Sequence, residues 1–547
     1  MNICKRWRNT SVFLTLQYNI FMEKKDTITI SKSEYEALCA MKEDYTELQT
    51  KCDWLMEQMR LAKHQKFSFS SEKQETLFMD QMSLVFNEAE GFADFSIPEI
   101  PEEVTVTAHK RKKHGTVKDI LPTDVPVEVV EHTLPKERLV CPQCGTTMTE
   151  IGKEEKETLV IIPAQVKIRR DVYYTYACQQ CKQEDVSVPV AKAPKEPCLI
   201  SKSFASPEAV AYLMYQKYVM GSPIYRIERD FLRNDIQLSR QTMSNWMLRC
   251  SKDWLEPIYN KLHTQLLKEP ILHADETTLQ VLKEPGKRAQ TKSYMWLYRT
   301  GKYAKHPVVL YEYQPNRKAE HPEKFLKGFT GYLHADGYAG YHRLDQQGIT
   351  VVGCLLHARR KFTDALRALP KQEQHGSSAE EVLAYFTQLF SEEKKLEDLT
   401  TEERYIQRLE KEKPILDALL AWSHTQKVPP KSALGKAIHY IHEQWPYLIK
   451  FLEDGNLELT NNLAERSIKP FVIDRKNFLF ANTPNGAQGS AVIFSIIETA
   501  KENGLDPYKY LVYIFQNAPK LAAEKDDWAT SLLPENVPIY CKASKTN

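Results

Sequence analysis

No run of apolar residues in this chain approaches the ~20 needed to cross a bilayer as a helix, which argues against a membrane span. Charge of one sign is missing too: 74 basic residues meet 72 acidic ones, a formal net of +2 over 547 residues. Any contact with nucleic acid must therefore come from local patches, because the chain as a whole is not basic. The eleven cysteines form no disulfide framework. Four fall into two CxxC pairs. The other seven, Cys4, Cys39, Cys52, Cys198, Cys250, Cys354 and Cys541, are scattered as free thiols in a reducing compartment would be. Residues 1–21 start basic (Lys5, Arg6, Arg8) and continue half-apolar, but Gln17 and Asn19 interrupt the run and no small-residue cleavage site follows. Met22 opens a more ordinary sequence, so residues 1–21 read as an upstream extension. The expected location is the cytoplasm.

What is present is organised around ILHADETTLQVL, residues 271–282. The stretch reads as a strand, with Ile271, His273, Asp275, Thr277 and Leu279 on one face and Leu272, Ala274, Glu276 and Thr278 on the other. Its apolar and β-branched content places it centrally in a sheet. An aspartate there is costly unless its charge is compensated, either by a backbone amide or Arg, or by a metal. Residues 331–341, GYLHADGYAGY, repeat the His-Ala-Asp word and set Asp336 where a short strand runs out into glycine. In open α/β sheets, sites form beyond the carboxyl ends of the strands. If the two strands are neighbours, the two carboxylates meet, and either a proton or a divalent cation must relieve them. Strands at 293–300, 307–314 and 349–355 and a helix at 319–328 complete an antiparallel meander that leads into a parallel half. Asp275 on the first strand and Asp336 ending the fourth make a ribonuclease-H-like arrangement, which normally recruits a third acid from a later helix. Glu465 is one candidate, in a short helix capped by Thr460 or Asn461 and ended near Pro470. Glu498, in the helix GSAVIFSIIETAKENG, is its rival.

At this length several domains are expected. Residues 1–34 read as a disordered extension. Residues 35–62 carry apolar positions at Leu38, Met41, Tyr45, Leu48, Cys52, Leu55, Met59 and Ala62, the alternating 3, 4 steps of a coiled-coil seam, and so predict a homo-oligomer. Residues 63–135 read as linker, punctuated by Pro98, Pro101, Pro122, Pro126 and Pro135. The linker contains a basic knot from His109 to His114 that is either a solvated charge run or a phosphate-gripping arm. Residues 136–200 form a zinc-binding module: Cys141, Cys144, Cys178 and Cys181 give four thiolates, which fit a closed, structural Zn²⁺ site. Residues 201–262 predict helix-turn-helix-like DNA-binding helices. Ser239 caps the second of these, and Arg240, Gln241, Ser244 and Asn245 are offered to DNA. Residues 263–480 form the ribonuclease-H-like core, interrupted by an all-helical insertion at about 357–455, and residues 481–547 form a helical C-terminal element. The fold class is thus multidomain α+β and α/β.

The words CPQCG with YACQQC, SPIYRIERDF with LSRQTMSNWM, LHADETTLQVL, LHADGYAGYHRL, CLLHARRKF, DGNLELTNNLAERSIKPFVIDRKNFLFANTPNG and ETAKENGLDPYKYL together resemble the transposases of the insertion-sequence sixty-six family. These are DDE enzymes with a ribonuclease-H-like core, and the resemblance runs from about residue 30 to 535. CLLHARRKF departs from the family in lacking a tryptophan after the cysteine. Carried over by position, the family's acidic triad falls on Asp275, Asp336 and Glu465. The resemblance implies two Mg²⁺ or Mn²⁺ ions per site, metal-dependent cleavage at transposon ends and strand transfer into target DNA. It also implies double-stranded DNA as partner, a nucleoid-associated location and small accessory proteins of the same element. His357, Arg359, Arg360, Lys361, Arg475 and Lys476 are candidates for holding DNA phosphates. Two alternatives stay open: a nuclease on the same fold that does not join ends, and a zinc-bearing DNA-binding regulator whose acids are vestigial.

Overall fold

The computed structural model describes residues 31–67, 166–172, 175–177, 190–192 and 196–543. Contacts divide the chain into two compact units, Met1–Ser68 together with Lys195–Asn547, and Phe69–Pro194. In the second unit a short antiparallel hairpin pairs β1 (Thr175–Ala177) with β2 (Val190–Lys192), Tyr176 opposite Ala191. The zinc-module cysteines Cys141, Cys144, Cys178 and Cys181, the basic knot at 109–114 and the upstream extension lie outside the described residues. Among the described residues no helix is long and apolar enough to cross a membrane.

The larger unit opens with α1 (Lys32–Phe67), ten turns long. The apolar seam read from the sequence stays uncovered on it: Leu38, Met41, Tyr45, Leu48, Leu55 and Met59 are all more than half exposed. Three helices follow, α2 (Pro207–Tyr218), α3 (Ile224–Arg233) and α4 (Arg240–Cys250). The Ser239 hydroxyl caps α4 by accepting from the Thr242 amide at 3.2 Å, as the sequence predicts. Ile227 is buried between these helices, with Ile224 and Phe231 packed beside it. A single π-helical turn, Ser251–Leu255, carries α4 on into α5 (Glu256–Leu266).

The sheet has the order β5-β4-β3-β6-β7. Strands β3 (Ile271–Gln280), β4 (Lys292–Thr300) and β5 (Val309–Gln314) form the antiparallel meander. A short helix, α6 (Glu320–Phe325), leads to β6 (Tyr332–Ala335) and then β7 (Thr350–Gly353), both parallel to β3. The strand β3, with partners on both sides, is the centre, as its composition requires. The helix α6 is shorter than the predicted 319–328.

Beyond β7, α7 (Leu355–Ala368), α8 (Ser378–Lys395), α9 (Thr401–Gln407), α10 (Lys413–Thr425) and α11 (Ala433–Leu448) build a helical body with its own apolar core. Val382, Phe386 and Leu389 of α8 face Phe362, Leu419 and Ile441 in that core. The chain then returns to the sheet through α12 (Asn462–Phe478), α13 (Pro484–Glu502) and α14 (Pro507–Glu524). Helix α12 does not stop near Pro470 as the sequence suggests; it runs straight through it. The proline forfeits one helical bond, to the carbonyl of Arg466, an exposed residue. Burial of Ala464, Ser467, Ile468, Phe471 and Asp474 along one face outweighs that local loss. Helix α13 is apolar on nearly all sides because it lies against β5 and is covered elsewhere. Its Thr499 hydroxyl bonds both Val309 N and Val309 O at 2.9 Å, and Ser495 accepts from Tyr311 N at 2.7 Å. The edge strand's free backbone groups are thereby satisfied by helix side chains.

Candidate active site

Two acids are delivered by strand register. His273 of β3 stands opposite His334 of the parallel β6. Two residues further along come Asp275, in the middle of β3, and Asp336, just past the end of β6, so strand periodicity sends both side chains to the same face. Asp275 Oδ1 accepts from the Glu276 amide at 2.8 Å, and Asp336 Oδ1 from the Tyr338 amide at 3.0 Å. Gly337 lets the Tyr440 side chain of α11 approach closely: a Cβ there would sit 2.7 Å from its hydroxyl. The helical body therefore closes directly over Asp336.

The third acid comes from α12. Glu465 lies in its first turn, its amide bonded to Asn461 O at 3.2 Å, where the helix dipole favours a carboxylate. His357 Nε2 of α7 stands 3.9 Å from Glu465 Oε1, and ligand atoms of Cys354, His357 and Glu465 lie within 4.8 Å of one another. Burial pushes His357 down, opposed by the Glu465 charge.

The three acids act on one another electrostatically. Burial, then the charges of Glu276 and Asp336, with Glu465 also contributing, hold the Asp275 carboxyl well above the usual carboxylate range. Glu276 is raised by burial and by Asp336, and is held back by the Tyr341 hydroxyl at 2.6 Å and by Arg317. Arg317 bridges Glu276 and Asp336, 3.7 Å from the latter, and stacks on the Tyr338 ring with 4.0 Å to its centroid. One guanidinium against four acids leaves the cluster short of positive charge. Glu465 Oε1 is buried without a hydrogen-bond partner. Oxygen donors, excess negative charge and an orphaned carboxylate oxygen fit a hard divalent cation. Asp275, Asp336 and Glu465 could hold it.

Other residues singled out by the sequence fall elsewhere. Glu498, the rival acid, lies on α13 over β5, bonded to Lys501 at 2.7 Å, and its surroundings include none of the three acids. Arg475 is on α12 but turns inward, donating to the Thr277 hydroxyl at 3.0 Å and to Thr278. Lys476, Arg360 and Lys361 are exposed, and Lys361 also lies 5.5 Å from the Tyr440 ring centroid. Arg359 is half-buried on the same helix as His357. On α4, Arg240 is paired with Glu228 at 2.9 Å and Gln241 with Asn245 at 2.9 Å; all three α4 residues are exposed, and Ser244 is half-buried. Sequence reasoning missed Arg317, whose loop PNRKAE carries no signal beyond polarity. It also missed Glu276, whose place next to Asp275 was itself a clue.

Four family models match the chain. The Transposase IS66 family covers residues 202–489, the zinc-finger binding domain of transposase IS66 covers 139–182, the IS66 C-terminal element covers 495–534, and a model described as Transposase C of IS166 homeodomain covers 54–130. The zinc-finger match spans the four cysteines of the two CxxC pairs and supports structural zinc there. The uncharacterized protein y4jD of Sinorhizobium fredii is 30% identical over 392 residues, 70% of this chain and 75% of its own length. The uncharacterized protein y4hP of the same organism is 26% identical over 387 residues, 68% of this chain and 69% of its own. No solved structure matches.

Proposed function

Since the chain belongs to the IS66 transposase family, we propose that it is a DDE transposase on a ribonuclease-H-like core. In this reading it cleaves DNA at the ends of its element and joins the freed strands to target DNA. The observation that carries the reading is the placing of Asp275 and Asp336 by neighbouring parallel strands, with Glu465 near enough to add to the rise of Asp275 after burial, Glu276 and Asp336. Two neighbouring strands and the first turn of one helix bring them within reach of one another's charge. The order β5-β4-β3-β6-β7, with its antiparallel and parallel halves, supports the ribonuclease-H-like assignment.

Asp275, Asp336 and Glu465 hold Mg²⁺ or Mn²⁺. When bound, such ions supply Lewis acidity and charge neutralisation for in-line displacement at phosphorus. The chain's own part is positional. Asp275 and Asp336 each accept a backbone amide at Oδ1, and Asp336 Oδ2 lies 3.7 Å from Arg317. Arg360 and Lys361, exposed on α7 beside His357, and Lys476 on α12 bind DNA phosphates. Arg240, Gln241 and Asn245 on the exposed face of α4, with Ser244, bind the element end, and the exposed seam of α1 pairs with a second copy. No covalent enzyme intermediate is needed, so no side-chain nucleophile is sought.

The test is a cleavage-and-joining assay on labelled duplexes carrying candidate element ends, with and without Mg²⁺. Wild type gives metal-dependent nicks and joined product. Asp275→Asn keeps end-DNA affinity and loses cleavage by about 10³-fold or more. Full cleavage by Asp275→Asn removes that residue from the mechanism. Nicks with no joined product favour a nuclease.

A further inference from the structure

The sequence repeats His-Ala-Asp, and the function proposed above uses only the aspartates. The two histidines are among the most enclosed polar side chains in the protein: His273 is 0% exposed and His334 1%. Their rings stack, with centroids 4.3 Å apart and planes 9° from parallel. Such a pair at the middle of a sheet needs partners for its ring nitrogens; those it has come from one segment, residues 458–461, while His334 Nδ1 and His273 Nε2 are buried without a hydrogen bond. The Glu458 amide faces His334 Nε2 at 3.4 Å, and the Glu458 carboxylate lies 3.1 Å from His273 Nε2. Asn461 Oδ1 lies 3.0 Å from His273 Nδ1.

Asn461 is the residue from which α12 starts, and it does not cap the helix with its side chain. The side chain is committed elsewhere: its Nδ2 donates to Ala274 O at 2.7 Å, and its amide points to Cys354 Sγ at 3.3 Å. Leu355 N bonds Leu459 O at 3.0 Å, tying the same segment to the start of α7. One buried asparagine thus touches β3 between His273 and Asp275 and also the end of β7. Four residues later comes Glu465.

Resting on the function proposed above, we infer that His273, His334, Glu458 and Asn461 form a latch that fixes the start of α12 against the strand ends and so sets Glu465 on Asp275 and Asp336. They are positioning residues and do not touch the substrate. The latch explains why a histidine precedes each aspartate by two: strand periodicity points both residues to one face, the acid at the rim and the ring beneath it. A helix that returns to the sheet after about a hundred residues of insertion has no local means of choosing its start. The stacked rings provide a buried, hydrogen-bonded socket for that choice, and supports of this kind typically change metal affinity or activity by about 10–100-fold when removed.

The full-length chain is tested as Asn461→Ala, His334→Leu and His334→Gln by hydrogen exchange, Mn²⁺ calorimetry and end-DNA binding. The expected result is faster exchange of the amides at 463–467 in Asn461→Ala. Mn²⁺ binding should weaken about 10-fold or more in Asn461→Ala and His334→Leu, with end-DNA affinity held. His334→Gln, which keeps an acceptor for the Glu458 amide, should retain most of the Mn²⁺ affinity. Should Asn461→Ala fail to fold, the contrast between His334→Leu and His334→Gln decides alone. Wild-type exchange at 463–467 in Asn461→Ala, or equal Mn²⁺ affinity in the two His334 variants, overturns the latch. Absence of Mn²⁺ binding by wild type strikes instead at the catalytic reading, and the exchange result then still judges the latch.

Discussion

A buried acid away from the candidate site shows how single residues set the pH behaviour. Glu312 on β5 accepts from Gln314 Nε2 at 2.7 Å through one oxygen, while its other oxygen is buried with no hydrogen bond. Burial pushes its carboxyl up to about 7. Its folded value thus lies above the unfolded one, so the folded chain holds the proton more tightly. The stability it contributes is complete below about pH 4.5 and is lost as pH rises through 7. Glu312→Gln should flatten that decline. It should be more stable than wild type at pH 8 by about 1–2 kcal/mol, discounted for partial exposure, and close to it at pH 4.5. Denaturant midpoints across that range check the sign; an unchanged difference at the two ends would contradict it. At this scale the sequence was partly legible. Asp275 stood out because a carboxylate inside an apolar strand must be compensated by something. Asn461 and Arg317 did not, since one lies in a polar turn and the other in a polar loop, and their partners come from other elements: Glu276 and Asp336 for Arg317, His273 for Asn461.

At the scale of elements, strands β3 to β7 were readable from alternation and turn residues, and α4 from its serine cap. The course of α12 was not. A proline that ends helices locally is overridden here by a buried face that no local rule contains. Burial also decides two element-scale predictions. On α1, Met41 is 65% and Leu48 67% exposed. Replacing both with Glu should lower the oligomeric mass in sedimentation velocity if this seam pairs copies of the chain; an unchanged mass assigns the seam another role. In the helical body, Arg408 is 1% exposed and forks onto Glu393 at 2.5 and 3.0 Å, with further bonds to Phe451 O and Asp454 O. Glu412 beside it is raised to about 9, by burial first and then by Glu393. Removing the arginine strands Glu393 without its buried partner, so Arg408→Ala should cost about 3–5 kcal/mol. Calorimetric melting reads this as an early transition of the helical body.

At the scale of the whole molecule, a sheet and a helical body with separate cores meet at one rim, and the acids lie there. Asp275 and Asp336 come from the sheet; Gly337 and Tyr440 bring the helical body over them; Glu465 arrives on the chain that leaves that body. This explains why spacing alone could not choose between Glu465 and Glu498: the choice depends on where a long excursion re-enters the sheet. The resemblance to a known family pointed to Glu465, and the latch proposed at Asn461 offers a physical reason for its position. The account is tested most directly by titrating Mn²⁺ into the full-length, zinc-loaded chain by calorimetry, in wild type and in Asp275→Asn, Asp336→Asn and Glu465→Gln. It predicts binding by wild type that weakens about 10-fold or more in each of the three variants, since all three acids serve one site. Wild-type affinity in all three variants would contradict it.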